Sequence, residues 1–378
     1  MPPIDIDTQL AIALVEGNME AVISMLDAGA TVDGHKEQPL PPIVLAVIAR
    51  RVDMVKFLLE RGADPERPIT REILCKYSAT APATLGGRAL HMAARSGHVE
   101  IVRLLLNRSR ANPNATDNLG CTPLLVTCAC PHDRVEVVRV LIEAGADPSL
   151  ADKAGFIPLH LVARAGLTDL VNILHASAPS TLYCCASNGQ NPLFVACNNG
   201  HESMVSKLLS LGAMLGVPSA YSDTFPLTIA AMNGFVGVMR ILIEGGIRAV
   251  ASEEALTNPL YASVAGRNPR ALLLLLSVDG EEGRSKLANI KTTGGRLLHF
   301  AAEYCYPAAV SILLEAGADE AARDSGGRIP RDNIGVDLIQ SGGGIAIRRM
   351  LQRGPAYRAR SWAWPSGEGA SASDSGCS

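Results

Sequence analysis

The stretch CTPLLVTCACPHDRVEVVRVLIEAGADPSLA, residues 121–151, contains the pattern that decides the fold. Thr122 can cap a helix with its hydroxyl, and Pro123 then stands where the first helical N–H would lack a partner. A second helix is indicated by apolar residues at helical spacing, namely Val137, Val138, Leu141 and Ile142. Gly145 and Pro148 are suited to end that helix. The stretch therefore predicts a helix, a turn, a second helix and a loop.

This unit recurs along the chain with a period of about 33 residues, the period of a repeat architecture. After Pro123, a proline followed by leucine returns at spacings of 35, 34, 34 and 33 residues, at Pro158, Pro192, Pro226 and Pro259. Two short helices cannot bury their apolar faces alone, so each unit must stack on its neighbours. We predict an all-α solenoid of helix-turn-helix units, joined by loops or β-hairpin turns.

Named positions resemble the ankyrin repeat family. The segment RALHMAARSGHVEIVRLLL, residues 88–106, is similar to the family pattern TPLHLAAxxGHxEIVxLLL, with Arg88 and Ala89 in place of Thr and Pro. Residues 152–174 and 189–209 match nearly as well, and the resemblance covers roughly residues 7–323. It implies an ankyrin solenoid of about nine to ten repeats, acting as a non-enzymatic interaction module or scaffold with a protein or peptide partner.

We place the solenoid at residues 1–353, with atypical units at both ends. The predicted units cover about 7–33, 36–66, 84–115, 117–151, 152–180, 187–217, 221–250, 256–280 and 292–323, followed by a partial cap at 324–353. Residues 354–378 form an Arg/Trp-rich and then Gly/Ser-rich tail, whose composition predicts disorder.

Two stretches interrupt the repeat register. Pro42 and its equivalent Ala89 lie 47 residues apart, which leaves an insertion at residues 67–86. It is either a surface excursion with a short helical piece or a loop that contacts a partner. A second, polar insertion follows the eighth unit at residues 279–291.

The composition excludes several functional classes. The net charge of −3 comes from 34 basic and 37 acidic residues spread along the chain, which gives no global attraction for nucleic acid or membranes. We find no signal peptide and no apolar run long enough for a transmembrane segment. Nine cysteines in so long a chain favour free buried thiols over a disulfide framework. We expect a monomer in the cytoplasm, with the nucleus as an alternative.

Residues capable of chemistry occur in unpromising contexts. His91, His160 and His299 share one repeat position, where the resemblance implies a hydrogen bond to a neighbouring loop. A cluster of Cys128, Cys130 and His132 lacks the fourth ligand that zinc needs. The glycine-rich residues 341–344 lack both the dinucleotide fingerprint and the P-loop lysine, so we interpret them as a flexible turn. We therefore predict no catalytic residue, no metal site, no cofactor and no enzymatic activity.

The C-terminal segment supports one alternative function. It combines five arginines with three aromatic residues, at Arg348, Arg349, Arg353, Arg358, Arg360, Tyr357, Trp362 and Trp364. Such a mixture could bind nucleic acid or an anionic membrane surface. Arginines on a capping helix, with the aromatic side chains packed on the last repeat, are the competing interpretation. A second alternative is a substrate adaptor in a larger enzyme complex, although we recognise no recruitment box.

The resemblance also places the partner site, since such repeats present their first helices and loop tips on one concave side. The corresponding positions vary between units while the framework repeats. They are mostly neutral and amide-rich, which suits a protein or peptide better than phosphates. The candidate partner-binding residues, across the third to seventh units, are Arg95, Ser96, Asn118, Leu119, Lys153, Phe156, Arg164, Asn188, Gln190, Asn198, Asn199, Tyr221, Met232 and Asn233.

Overall fold

The computed structural model describes residues 5–34, 40–70, 85–109, 111–130, 134–214, 226–247, 253–292, 295–335 and 341–353. Within these ranges the secondary structure is twenty α-helices, a few short helical turns and one small β-hairpin. The predicted all-α repeat fold is confirmed. The chain divides into two compact units, Met1–Pro192 and Leu193–Ser378, which we describe in turn.

The first unit contains five helix pairs. The first helices of these pairs pack side by side, and we call them inner helices: α1 (Ile6–Glu16), α3 (Pro42–Ile48), α5 (Ala89–Ser96), α7 (Pro123–Cys128) and α9 (Pro158–Ala165). The second, outer helices are α2 (Met19–Asp27), α4 (Val52–Glu60), α6 (Val99–Ser109), α8 (Val135–Glu143) and α10 (Thr168–Ser177). A 3₁₀ turn at Pro179–Tyr183 follows α10.

The second unit repeats this plan. Its inner helices are α11 (Pro192–Asn198), which begins at the boundary between the units, α13 (Pro226–Asn233), α15 (Glu253–Ala265) and α18 (Leu297–Glu303). Its outer helices are α12 (Glu202–Ser210), α14 (Val236–Leu242), α16 (Pro269–Leu276) and α19 (Pro307–Glu315). A π turn at Ile243–Ile247 continues α14, and α17 (Gly280–Ala288) follows α16.

A short antiparallel hairpin precedes α18 in the second unit. Its strands, β1 (Lys291–Thr292) and β2 (Gly295–Arg296), pair Lys291 with Arg296 and Thr292 with Gly295. The unit ends with a 3₁₀ turn at Pro330–Asn333 and helix α20 (Gly342–Arg353), which packs on α19 and on that turn.

The predicted helix starts are largely confirmed. Thr122 Oγ1 accepts the N–H of Leu125 at 3.2 Å, which satisfies one of the free donors at the start of α7. Proline begins five inner helices, at Pro42, Pro123, Pro158, Pro192 and Pro226. Pro259 is the exception, because α15 begins six residues earlier and contains it as an interior residue.

The core of each unit lies between its inner and outer helices. In the third repeat, Leu90 and Ala93 of α5 and Ile101 and Leu105 of α6 are at most 1% exposed. Leu, Val, Ile and Ala fill this layer along both units, with few aromatic residues among them. Small residues on the inner helices let neighbouring repeats approach closely, so burial is continuous within a unit.

The predicted flexible turn at residues 341–344 was wrong. Gly342, Gly343 and Gly344 form the first turn of α20, because the Ser341 hydroxyl caps it by accepting the Gly344 N–H at 3.1 Å. The polar insertion after the eighth unit contains the helix α17. The predicted helical piece near Ile73 and the tail from residue 354 onward lie outside the described residues.

Candidate functional site: the inner-helix and loop-tip face

Three buried histidines join successive repeats. In each, the ring Nδ1 accepts a backbone N–H at the start of its own helix, from Arg88 to His91, Ile157 to His160 and Arg296 to His299, at 3.2 to 3.3 Å. Each Nε2 lies 2.9 to 3.1 Å from a carbonyl oxygen of the next loop, at Cys121, Gln190 and Arg328 respectively. Both ring nitrogens are engaged with backbone, so the role that the family resemblance implied for these histidines is structural.

Burial favours the neutral form of two of these rings, His91 and His160. It lowers the pKa of His91, and it lowers the pKa of His160 to about 4. Nδ1 accepts a hydrogen bond, so the neutral ring carries its proton on Nε2 and donates it to the loop carbonyl. These side chains hold neighbouring repeats together and have no nitrogen left for acid–base catalysis.

The loops between repeats form tight hairpin turns. In the loops 117–121, 152–156 and 186–190, the first N–H donates to the fifth carbonyl oxygen at 2.9 to 3.0 Å. Asp117 and Asp152 add a carboxylate oxygen that accepts two further N–H groups within their loops. The tips are also linked in series, because Asn118 N–H donates to Leu85 O and Lys153 N–H donates to Leu119 O, both at 2.9 Å.

The loop tips and the ends of the inner helices lie on the same face of the first unit. The Arg164 guanidinium, on the last turn of α9, lies 4.9 Å from the centre of the Phe156 ring in the adjoining loop. Phe156 also packs edge-on against the His160 ring at 5.6 Å. We call the exposed ends of the inner helices together with the loop tips the inner face of a unit.

Many of the predicted site residues are exposed on this face. In the first unit, Asn118, Leu119, Lys153, Arg164 and Asn188 are exposed, while Arg95, Ser96, Phe156 and Gln190 are half-buried. In the second unit, Asn198, Asn199, Met232 and Asn233 are exposed. Tyr221 lies outside the described residues.

Some of these residues also support the framework. Asn233 Nδ2 donates to Asn198 O at 3.2 Å, and Asn199 Nδ2 donates to Val195 O at 2.8 Å. The carbonyl oxygen of Ser96 accepts from Arg50, and that of Arg95 accepts from Arg134, both at 3.3 Å. These bonds satisfy carbonyl groups at the ends of inner helices, where the helix leaves them without a partner.

The sequence prediction missed an aromatic cluster on the inner face of the second unit. Tyr261 and Phe300 have ring centres 5.0 Å apart, and Phe300 and Tyr304 have ring centres 4.3 Å apart. Tyr304 is 42% exposed, and the neighbouring Arg267 guanidinium donates to its carbonyl oxygen at 3.1 Å. Exposed aromatic side chains of this kind commonly anchor protein partners. Aligning the repeats would have revealed Tyr261, because it occupies the position that His91 and His299 hold in their repeats.

The prediction also missed an aliphatic strip on the inner face of the first two repeats. Ile12 and Val15 of α1 are 45% and 56% exposed. Leu45 and Ile48 occupy the equivalent positions of α3 and are half-buried. Aligning α1 and α3 with α5 on the turn residue would have identified these four positions.

Other groups show little capacity for chemistry. Burial raises the pKa of the Cys121 thiol to about 12, and it raises the pKa of the Cys128 and Cys197 thiols as well, so these thiols stay protonated and unreactive. Within the described residues, no group of three or more His, Cys, Asp and Glu side chains is placed to hold a metal ion. None of the described helices combines the length and apolar character that crossing a membrane requires.

Comparison with known proteins agrees with this geometry. A family model of three ankyrin repeat copies matches residues 67–152 and 159–253, and a single-repeat ankyrin model matches residues 41–68. The chain is 24% identical over 278 residues to the ankyrin repeat protein nuc-2 of Neurospora crassa, which covers 72% of this chain and 24% of that protein.

Two further relatives show the same likeness over shorter spans. The chain is 30% identical over 247 residues to the mouse B-cell lymphoma 3 protein homolog, covering 62% of this chain and 50% of that protein. It is 27% identical over 173 residues to the putative ankyrin repeat protein YahD of Escherichia coli, covering 45% and 79% respectively. The chain thus spans about a quarter of nuc-2 and half of the mouse protein.

Proposed function

Because the chain belongs to the ankyrin repeat family, we propose that it is a non-enzymatic scaffold that binds a protein or peptide on the inner face of its repeats. The observation that carries this proposal is that each repeat contains two kinds of position, constant framework positions and variable positions on the inner face. Buried histidines, loop carboxylates and core aliphatic residues keep the framework constant, while the inner-face positions differ from repeat to repeat.

The chemistry of the inner face supports a protein partner. Exposed amides such as Asn198 and Asn188 offer hydrogen bonds in both directions. Exposed apolar side chains, Leu119 at 56% and Met232 at 49%, add surface that a partner can desolvate. Protein interfaces typically combine such apolar anchors with a polar surround. A cytoplasmic or nuclear location would suit the free buried thiols.

Affinity purification with paired face variants tests this function. The intact chain should capture a specific protein, identified by mass spectrometry and confirmed with purified components. Arg95→Glu combined with Asn199→Arg changes the inner face of both units and should weaken this binding without unfolding the repeats, as circular dichroism checks.

A matched control places similar charge changes on the outer helices, for example Lys56→Glu with Ser203→Arg. Both residues are exposed on outer helices, so this control should bind like the unaltered chain. Equal binding by a folded inner-face variant, with loss in the outer-helix control, would show that the partner uses the other face.

A further inference from the structure

The inner face of the first unit changes character along the repeats. Four inner helices of the first unit end in a turn residue with positive φ, at Gly17, Arg50, Gly97 and Gly166. Two and five residues before that turn, the first repeat carries Val15 and Ile12, and the second carries Ile48 and Leu45. The third and fifth repeats instead place Arg95 and Arg164 two residues before the turn. The first two repeats therefore present an aliphatic side chain two residues before the turn, where the third and fifth repeats present an arginine.

Arginines from the second and fourth repeats continue this surface. Arg50 donates to Ser96 O, Arg51 to Glu16 O and Arg134 to Arg95 O, each at 3.3 Å. These acceptors are neutral carbonyl oxygens, so the hydrogen bonds fix the side chains without neutralising their charge. Arg50 and Arg51 are exposed, and Arg134 is half-buried.

Arginines on or next to the outer helices form ion pairs with carboxylates. Arg61 pairs with Asp27 at 3.0 Å, Arg103 with Glu136 at 2.6 Å and Arg108 with Glu60 at 3.1 Å. These ion pairs join successive repeats, and in each of them a carboxylate offsets the charge of an arginine on the outer surface. Within the part of the chain that the structure describes, Arg61, Arg103 and Arg108 pair with carboxylates, whereas Arg50, Arg51 and Arg134 do not.

His98, in the third repeat, lies close to the positive charges of Arg50 in the second repeat and Arg134 in the fourth. Burial lowers its pKa, and the nearby positive charges of Arg50 and Arg134 lower that pKa further. The exposed Lys153 and Arg164 extend the positive charge to the fifth repeat. The carboxylates of Asp117 and Asp152 are directed into their own loops, and Glu16 adds one carboxylate at the first repeat.

We propose that the inner face of the first unit binds an acidic amphipathic peptide segment of a partner protein. Its apolar side chains would cover Ile12, Val15, Leu45 and Ile48, and its carboxylates would meet the arginines of the second to fourth repeats. An apolar anchor desolvated at one end provides affinity, and opposite charge at the other end fixes orientation and speeds association. This inference rests on the proposed function and specifies the chemistry of its partner.

Peptide selection on the intact chain tests the inference while the partner protein is still unidentified. A phage-displayed library of random 16-residue peptides serves as the probe. Selected sequences should combine a cluster of Leu, Ile or Phe with several Asp or Glu residues. Binding of the corresponding synthetic peptide should weaken on raising the salt concentration, because exposed charges are screened.

Charge reversal makes the test specific. Arg50→Glu with Arg134→Glu should weaken the selected peptide about tenfold or more, and a fresh selection on this variant should yield basic peptides. Arg50→Gln with Arg134→Gln is the alternative variant if the charge-reversed one folds poorly. It keeps hydrogen-bond donors for the carbonyl oxygens, removes the two positive charges, and should weaken binding less than the reversal does. Ile12→Asp with Ile48→Asp should also weaken binding.

Lys56→Glu with Arg139→Glu, on the outer helices, makes the same change in net charge and should select the same acidic peptides.

The outcomes separate this inference from the proposed function. Selected peptides without acidic residues, or acidic peptides that the inner-face variants bind equally well, would overturn the inference and leave a peptide-binding module. A chain that self-associates through the aliphatic strip and excludes peptides would assign a second copy as its occupant, against the inference. Failure to select any peptide, together with a captured partner indifferent to inner-face variants, would overturn both.

Discussion

At the scale of the residue, His160 shows how a group with catalytic potential becomes structural. Its Nδ1 accepts Ile157 N–H at 3.2 Å, and its Nε2 lies 2.9 Å from Gln190 O. A proton on Nδ1 would break the first bond and place a charge in a buried position. The low pKa of about 4 follows mainly from burial.

This histidine should make the fold sensitive to acid. Its folded pKa of about 4 lies below the unfolded value of 6.5, so the unfolded chain binds the proton more readily between these values. The stabilisation is complete above pH 6.5 and is lost as the pH falls toward 4, by roughly 3 kcal/mol if 1.36 kcal/mol corresponds to one pKa unit.

Urea unfolding of the unaltered chain and His160→Gln between pH 7.5 and 4 measures this effect. The glutamine does not titrate, so the variant should lose less stability on acidification. His175→Gln, on the outer helix of the same repeat, is the control and should behave like the unaltered chain. An identical pH dependence in His160→Gln would contradict the structural role assigned to this ring.

Ala93 provides a second test at this scale. It is fully buried on α5 between inner and outer helices, so Ala93→Asp introduces a charge without a partner. We expect a loss of several kcal/mol. Ala165→Asp, at the exposed end of α9, meets only the unfavourable helix dipole and should cost about 1 kcal/mol or less. Thermal melting compares the two, and equal losses would show that the repeat register is misplaced.

At the scale of the element, sequence pattern predicts a helix best where start signals and apolar spacing agree. Thr122 and Pro123 began α7 as expected, because cap and helix start have a local cause. At Pro259 the predicted helix start was wrong. The helix begins at Glu253 and continues through Pro259, although proline has no N–H to donate. Glycine content misled the prediction at α20, where the Ser341 cap outweighs the weak helix propensity of three glycines.

Part of the candidate site could be predicted because residues at equivalent positions of each repeat lie on the same face. Loop tips such as Leu119 and helix ends such as Arg164 follow from the repeat register. Tyr261 and Phe300 are 39 residues apart, and only repeat packing brings their rings together. Arg50 was missed because it takes the left-handed turn position usually held by glycine, with φ of 62°. These contacts depend on side-chain reach, which periodicity does not encode.

Two glycines of the second unit test the packing between elements. A Cβ at Gly266 would collide with the Met232 carbonyl oxygen of the preceding inner helix, whereas a Cβ at Gly342 would meet nothing within 4 Å. Gly266→Ala should therefore destabilise the chain by about 1 to 3 kcal/mol through overpacking. Gly342→Ala should be neutral or stabilise α20 by up to about 1 kcal/mol. Chemical denaturation measures both, and a neutral Gly266→Ala would contradict the close approach of α13 and α15.

At the scale of the whole molecule, the C-terminal segment decides between two interpretations of the function. The alternative nucleic-acid or membrane role was based on the Arg/Trp-rich segment from Arg348 to Trp364, of which the part from Tyr357 onward follows Gly354. If the repeats bind the partner, deletion of residues 354–378 should leave helical circular dichroism and partner binding intact. Loss of a salt-sensitive interaction with nucleic acid or anionic vesicles on deletion would support the alternative.

Hydrogen–deuterium exchange of the chain with its captured partner shows which face of the repeats the partner covers. If the inner face binds the partner, amides at the loop tips and inner-helix ends should exchange more slowly in the complex, for example in residues 85–97, 117–122 and 152–166. The outer helices, such as α6 and α8, should keep their free exchange rates. Protection confined to the outer helices or to residues 67–84, with the inner face unchanged, would contradict binding on the inner face.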